Sequence, residues 1–345
     1  MHKHTLALFY KNVCKVIYYY LNNDKLKAMF ATAGGKRITV KEFYDMDFPS
    51  EFLNDPSATN IDLQLTEAML DMIRKNDIKS KAAKFVLENN KIPFREMILP
   101  YAKPSILYPI ISAELFTDKK LAESHTVDFV EIDRNIEDPD EEMQEAALNS
   151  PEEGEEEQEE KSEKKKKAKK ARLMITYIDN LVIENLKKCC REVGMKLTAI
   201  DISQSALSKL VDFMKEDLPQ YFVLVDYRMT TITSYLFADY KHVFSLSKPI
   251  YSMPNENYAN EMAFFINDFS GIVSEAIQFF RSKYTDYKFD DVFITGDLDR
   301  FQSVESDLYG FMGLNVKMLP VPESVSGVEQ LDFNALAPLI GTMLK

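Results

Sequence analysis

The chain has 345 residues, 46% hydrophobic and 28% charged, with 55 acidic side chains against 42 basic ones and a net charge of −13. That length spans two to three domain-sized units, and the apolar share supports ordinary packed cores. The acidic balance argues against nucleic acid as a main partner, because holding phosphates needs a basic footprint; no run of roughly 18 apolar residues is present to span a bilayer.

Residues 5–21 (TLALFYKNVCKVIYYYL) are rich in β-branched and aromatic side chains and fit two strands around a turn at Lys11 and Asn12. Residues 25–32 and 37–43 form a hairpin across Gly34 and Gly35, a tight-turn pair. Leu65, Met69, Met72 and Ile73 fall at helical spacing within 62–75. A short strand-like run over 82–87 follows, and residues 94–99 precede Pro100. Pro104 can start a helix to about 116, kinked or delayed by Pro109. Residues 126–132 (TVDFVEI) alternate as a half-buried strand does.

The composition then changes. Residues 137–160 hold thirteen Asp or Glu and no Lys or Arg, while 161–172 hold eight Lys or Arg and only Glu163 as an acid. A segment so poor in β-branched and aromatic residues cannot bury enough surface to offset the entropy of ordering. Residues 133–172 therefore read as a disordered, charged hairpin insert, the bland solvated loop being set against a regulatory or docking tail. Loop-closure cost rises slowly with length, so a strand-to-strand tip tolerates such an addition.

Structure resumes with a strand at 172–177. A helix capped by Asp179 runs through Val193 and ends at Gly194, with Val182, Leu186 and Cys189 or Cys190 inward. A strand at 196–202 and a helix at 203–218 follow. Residues 221–227 (YFVLVDY) are almost continuously apolar, as in a buried central strand. The segments 231–236 and 242–246 form a hairpin over Ala238 and Asp239. A long amphipathic helix covers 257–284, a strand at 291–295 ends at Gly296, a helix at 303–311 closes at Gly313, and a strand at 315–319 and a helix at 333–344 complete the chain.

Recognisable reaction chemistry is absent. There is no phosphate-binding G-x-x-x-x-G-K-[ST] loop, since Arg37 follows Gly34, Gly35 and Lys36 and the flanks read as a hairpin. No nucleophile elbow occurs, the histidines (His2, His4, His125, His242) are scattered, and no Cys/His spacing suits a metal. Three cysteines, Cys14, Cys189 and Cys190, give no disulfide framework, and residues 1–20 lack the apolar core of a signal peptide. Reduced thiols in the cytosol are expected, with no catalytic and no metal-ligating residue to nominate.

The order of elements carries more. A strand meander followed by a helix occurs twice, with a smaller α+β piece inserted after the first. This duplicated α/β plan is that of the actin/Hsp70-like fold. Four segments extend the likeness: REMILPYAKPSILYPIISAELF at 95–116, ENLKKCCREVGMKLTAIDISQSAL at 184–207, YFVLVDYRMTTITSYLFADYKHVFS at 221–245 and DVFITGDLDRFQSVESDLYGFMGLNVKML at 291–319. In this order they resemble the PilM family, actin-like proteins of type IV pilus assembly that are themselves similar to FtsA. The resemblance implies a first actin-like half at 1–79, an inserted α+β subdomain at 80–196 and a second half at 197–345. It implies a cytoplasmic scaffold, held peripherally at the inner face of the cell membrane by the cytoplasmic tail of a PilN-like membrane protein, with an assembly ATPase or platform protein as a further partner. An active actin-like ATPase and an FtsA-like adaptor are the alternatives; the C-terminal helix is too short and uncharged for the membrane helix that ends FtsA-like proteins.

The resemblance also supplies a nucleotide test, for ATP with Mg²⁺. The family's first phosphate loop, D-I-G-x-x-x-x-K, is matched in LALFYKNVCK only by Lys15; the aspartate that would organise the metal is missing and Tyr10 and Lys11 stand where glycine would be. The second loop, D-I-G-x-x-T-T, keeps Asp226 and, with the threonine pair one position early, the hydroxyls of Thr230 and Thr231, but has Arg228 for glycine, a side chain that either crowds a phosphate or binds one. The adenosine-side G-G is Gly296 and Asp297. Asp226 and the threonines also read as ordinary turn residues, and Gly296 as a tight turn. Strong hydrolysis is not expected without the metal-organising aspartate.

Overall fold

A computed structural model describes residues 16–89, 91–136, 170–228, 230–252, 259–282, 287–297 and 305–344. The chain divides into two compact units, Met1–Lys91 with Leu181–Lys345, and Ile92–Asn180.

The first unit holds two sheets with one topology. β1 (Val16–Leu21), β2 (Lys25–Gly34) and β3 (Arg37–Asp47) form an antiparallel meander, and β4 (Ala82–Leu87) and β8 (Lys196–Ile202) add in parallel beside β1. β9 (Tyr221–Arg228), β10 (Thr231–Ala238) and β11 (Lys241–Pro249) repeat the meander, with β12 (Asp291–Gly296) and β13 (Asn315–Met318) in parallel beside β9. A short β14 (Val325–Ser326), unforeseen in the sequence, extends the first sheet alongside β3. The duplicated, actin-like plan expected from the element order is therefore present strand for strand.

Apolar periodicity places the helices. Leu65, Met69 and Met72 on α1 (Ile61–Lys75) are buried at helical spacing. One core joins both sheets: Tyr18 and Met29 of the first and Phe222, Leu224 and Phe293 of the second meet α5 (Ser203–Phe213) and α8 (Gln330–Gly341). Phe222 stacks on Phe237 at 5.1 Å and meets Phe293 edge-on at 5.5 Å. On the opposite face of β9, Val223 and Val225 pack with α6 (Ala259–Arg281), and Leu308 of α7 (Glu305–Met312) belongs to the same cluster. Alternate burial toward both faces explains why β9 is so continuously apolar.

In the second unit, β5 (Phe94–Pro100), β7 (Lys170–Asp179) and β6 (His125–Ile136) form an antiparallel sheet in that order. Leu107 and Ile111 of α2 (Pro104–Leu115) pack against Ala171, Leu173 and Ile175, and a short α3 (Lys119–Glu123) precedes β6.

Several expectations need correction. The inserted unit is Ile92–Asn180 rather than 80–196, because β4 and β8 pair in the first sheet and α4 (Asn180–Glu192) buries Leu186, Cys189 and Cys190 in the first unit. The β6–β7 ladder continues to Ile136 and Lys170, so both edges of the expected 133–172 insert are strand; the disorder expected of its interior, 137–169, lies outside the described residues. The helix expected at 203–218 stops at Phe213, where Met214 takes a C-cap and 214–217 turn ahead of Pro219. The second hairpin turns at Asp239 and Tyr240, both at positive φ, while Ala238 stays paired in β10. α2 runs through Pro109 without delay; that residue faces solvent, where water can satisfy the carbonyl left without its N–H. The first strand expected within 5–21 falls outside the described residues.

Candidate functional site

The ends of β9 and β12 lie side by side. Thr295 pairs with Asp226 and Gly296 with Tyr227. Asp297 donates its N–H to the Tyr227 carbonyl at 2.9 Å. A Cβ on Gly296 would stand 2.0 Å from that carbonyl oxygen and 2.9 Å from Asp226 Oδ1, at φ +113°, so only glycine fits where β12 turns away. Asp226, Gly296 and Asp297, three of the residues singled out in the sequence, are thus brought together.

The others are not. Thr231 opens β10 opposite Arg228, and Thr230 precedes it as an exposed turn residue whose N–H bonds the Arg228 carbonyl. Lys15 lies outside the described residues.

Around Asp226 and Asp297 gathers a buried charge cluster. Arg228 Nε stands 2.9 Å from Asp226 Oδ1 and 3.6 Å from Glu88 Oε2, and a terminal nitrogen lies 3.6 Å from Asp297 Oδ1. The guanidinium carbon is 5.2 Å from the centre of the Tyr20 ring. Tyr20 donates its hydroxyl to Glu88 at 2.7 Å, and Lys27 Nζ donates to Asp297 at 2.9 Å. These are contacts of distance: none of the Arg228 nitrogens makes an aligned hydrogen bond.

Two buried cations therefore face the buried Asp226 carboxylate and the partly buried ones of Glu88 and Asp297. Burial, with Glu88 and Asp297 adding to it, pushes the Asp226 carboxyl up to about 8 against the pull of Arg228. Burial alone would raise Asp297 as well, but Arg228 and Lys27 outweigh it and hold that carboxyl below its ordinary value. Burial disfavours the Arg228 charge, yet Asp226, Tyr20, Glu88 and Asp297 together keep its pKa above the usual guanidinium value.

In the sequence Arg228 reads as a replacement for glycine that either crowds a phosphate or binds one, not as the centre of a charge cluster. Lys27, Glu88 and Tyr20 were not singled out at all. The one available signal was a lysine at a core-facing position of β2, flanked by the buried Leu26 and Ala28. Among the described residues, no group of three or more His, Cys, Asp or Glu is arranged to hold a metal ion, and no helix is long and apolar enough to cross a membrane.

No protein-family model matches the chain, and no curated protein matches it in sequence. Solved structures do. A chain of the PilM-PilN type IV pilus biogenesis complex is similar over 96% of this chain and 97% of its own length, at 12% identity and a TM-score of 0.66. A Bacteroides thetaiotaomicron protein of unknown function with an actin-like ATPase fold is similar over 94% and 95%, at 11% identity and a TM-score of 0.48. The cytoplasmic domain of EpsL, an inner membrane component of the Vibrio cholerae type II secretion system, is similar over 95% and 94%, at 7% identity and a TM-score of 0.46. At such identities the likeness is one of fold, and the fold is the actin-like α/β one that the sequence resemblance implied.

Proposed function

We propose that this chain is a cytoplasmic, actin-like scaffold in the assembly platform of a type IV pilus or a related secretion machine. It captures the cytoplasmic tail of a PilN-like membrane protein and sits at the inner face of the membrane through that partner. The observation that carries this reading is the end-to-end likeness to a chain of the PilM-PilN complex, 96% of one chain on 97% of the other. An assembly ATPase or platform protein is the further contact.

In this reading the nucleotide site is degenerate. The residues present do not fit Mg-ATP: Arg228 occupies the phosphate-loop glycine position, its guanidinium lies among three carboxylates, and Asp226 faces that guanidinium instead of a free metal position. Any residual nucleotide contact would fall to Asp226, Gly296 and Asp297, with Thr230 and Thr231 at the turn and Lys15 beyond the described residues.

The test is capture of a partner tail. A peptide copying the N-terminal cytoplasmic segment of a PilN-like single-span protein encoded beside this chain is titrated into the folded protein by isothermal calorimetry. Saturable binding supports the reading. Absence of binding by correctly folded chain sinks it.

A further inference from the structure

Two ion pairs of the buried cluster run between the sheets in opposite directions. Lys27, on β2 of the first sheet, reaches Asp297, which follows β12 of the second, at 2.9 Å. Arg228, at the end of β9 in the second sheet, faces Glu88, which follows β4 in the first, at 3.6 Å. Tyr20 on β1 completes the second link, with its ring beside the guanidinium and its hydroxyl on Glu88. Lys27 and Arg228 are 2% and 5% exposed, so water and salt do not weaken these pairs as they would on a surface. Lys27 also reaches the Ala335 carbonyl of α8 at 3.4 Å, and Thr295 of β12 donates to the Asn334 carbonyl of the same helix at 3.0 Å.

We infer that Lys27–Asp297 and Arg228–Glu88 form a clasp that holds the ends of the two sheets together with no ligand between them. This rests on the degenerate reading of the site and gives the residues that replaced it a task of their own. Each sheet supplies one cation and one carboxylate. Parting the sheets here separates both nearly buried cations from partly buried carboxylates of the opposite sheet, Lys27 from Asp297 and Arg228 from Glu88, and breaking a buried ion pair is costly. Both links must break for the two sheet ends to part.

Amide hydrogen exchange on the full chain tests this. Two amides report, one per sheet: Glu88, bonded to the Leu21 carbonyl at 3.0 Å, and Asp297, bonded to the Tyr227 carbonyl at 2.9 Å. Lys27→Met should speed exchange at Asp297, and Arg228→Met at Glu88, each by roughly tenfold or more, the loss of one charged contact read across to the opposite sheet. Should Arg228→Met not fold, Glu88→Gln breaks the same link from the first sheet, and the Asp297 amide on the second sheet then reports. Exchange that changes only on the substituted residue's own sheet, or not at all, overturns the clasp and leaves the degenerate-site reading standing. Slowing of both amides in the unsubstituted chain by Mg-ATP overturns both, because a ligand would then do the closing.

Discussion

Asp226 and Arg228 stand two residues apart on β9, with Oδ1 and Nε 2.9 Å apart and both side chains removed from solvent. Strand alternation puts positions two apart on one face, so the spacing D-x-R within VDYR builds this pair locally. The pair alone would be neutral; Glu88, Asp297 and Lys27 arrive from other elements and make it a network.

Removing the arginine should be costly. Arg228→Met leaves the buried Asp226 and the partly buried Glu88 and Asp297 with Lys27 as the one remaining cation of the cluster, and the expected loss is about 3–5 kcal/mol in a urea melt. Adding Asp226→Leu to the same chain should recover part of that loss, since a buried pair replaced by apolar groups removes its desolvation cost along with its attraction. A double variant as unstable as the sum of its singles would show that the two side chains do not act on each other.

Asp226 predicts a pH dependence of definite sign. Its folded pKa of about 8 lies above the ordinary carboxyl value of 3.8, so the folded chain binds the proton more tightly than the unfolded one. The contribution is fully present below pH 4 and is lost as pH rises toward 8. Arg228, Glu88, Asp297, Tyr20 and Tyr235 are the ionisable groups interacting with it. Asp297, with its pKa held low, acts in the opposite sense and only as pH falls toward 4 and below. Urea melts at pH 5, 7 and 9 should show the stability advantage of the natural chain over Asp226→Asn shrinking at each step; a constant difference would refute the shifted carboxyl.

Much of the fold was legible because it is written in local periodicity. The alternation in 126–132, the helical stripe of 62–75 and the buried run of 221–227 each depend on neighbours in sequence, and each reappears as β6, α1 and β9. Ends were less legible: Ala238 has the composition of a turn neighbour but keeps its ladder partners, and Met214 stops a helix that apolar spacing would continue. The charge cluster was almost invisible. Lys27 and Asp297 are 270 positions apart, Tyr20 and Glu88 are 68 apart, and neither pair leaves a motif. Arg228 could be read as an absent glycine, but the carboxylates that receive it come from chain segments that only the folded sheets bring together.

Gly296 should be far less replaceable than Gly35, although both have positive φ. At Gly35 a Cβ meets nothing within 4 Å, so alanine costs about 1 kcal/mol of backbone strain. At Gly296 the Cβ would overlap a backbone carbonyl at 2.0 Å, which cannot move without breaking the Asp297–Tyr227 hydrogen bond. Gly296→Ala should cost about 3 kcal/mol or more, and paired thermal melts of the two variants give the ranking. Equal shifts would mean that β9 and β12 approach less closely than described.

The charged stretch makes a prediction about the second unit alone. Ile136 and Lys170 are register partners at the open end of the β6–β7 ladder, so their backbones are already as close as a hairpin requires. Replacing 137–169 by a two-residue Asn-Gly turn, whose twist matches an antiparallel pair, should keep the sheet in register. Shortening a loop lowers closure entropy only slowly with length, so the deletion is expected to leave stability within about 1 kcal/mol or to raise it slightly. Leu173 and Ile175 would remain packed against Leu107 and Ile111, because their burial depends on the register that β5 imposes on β7 from the other side. A cooperative melt lost on deletion would assign the stretch a packing role that its composition speaks against.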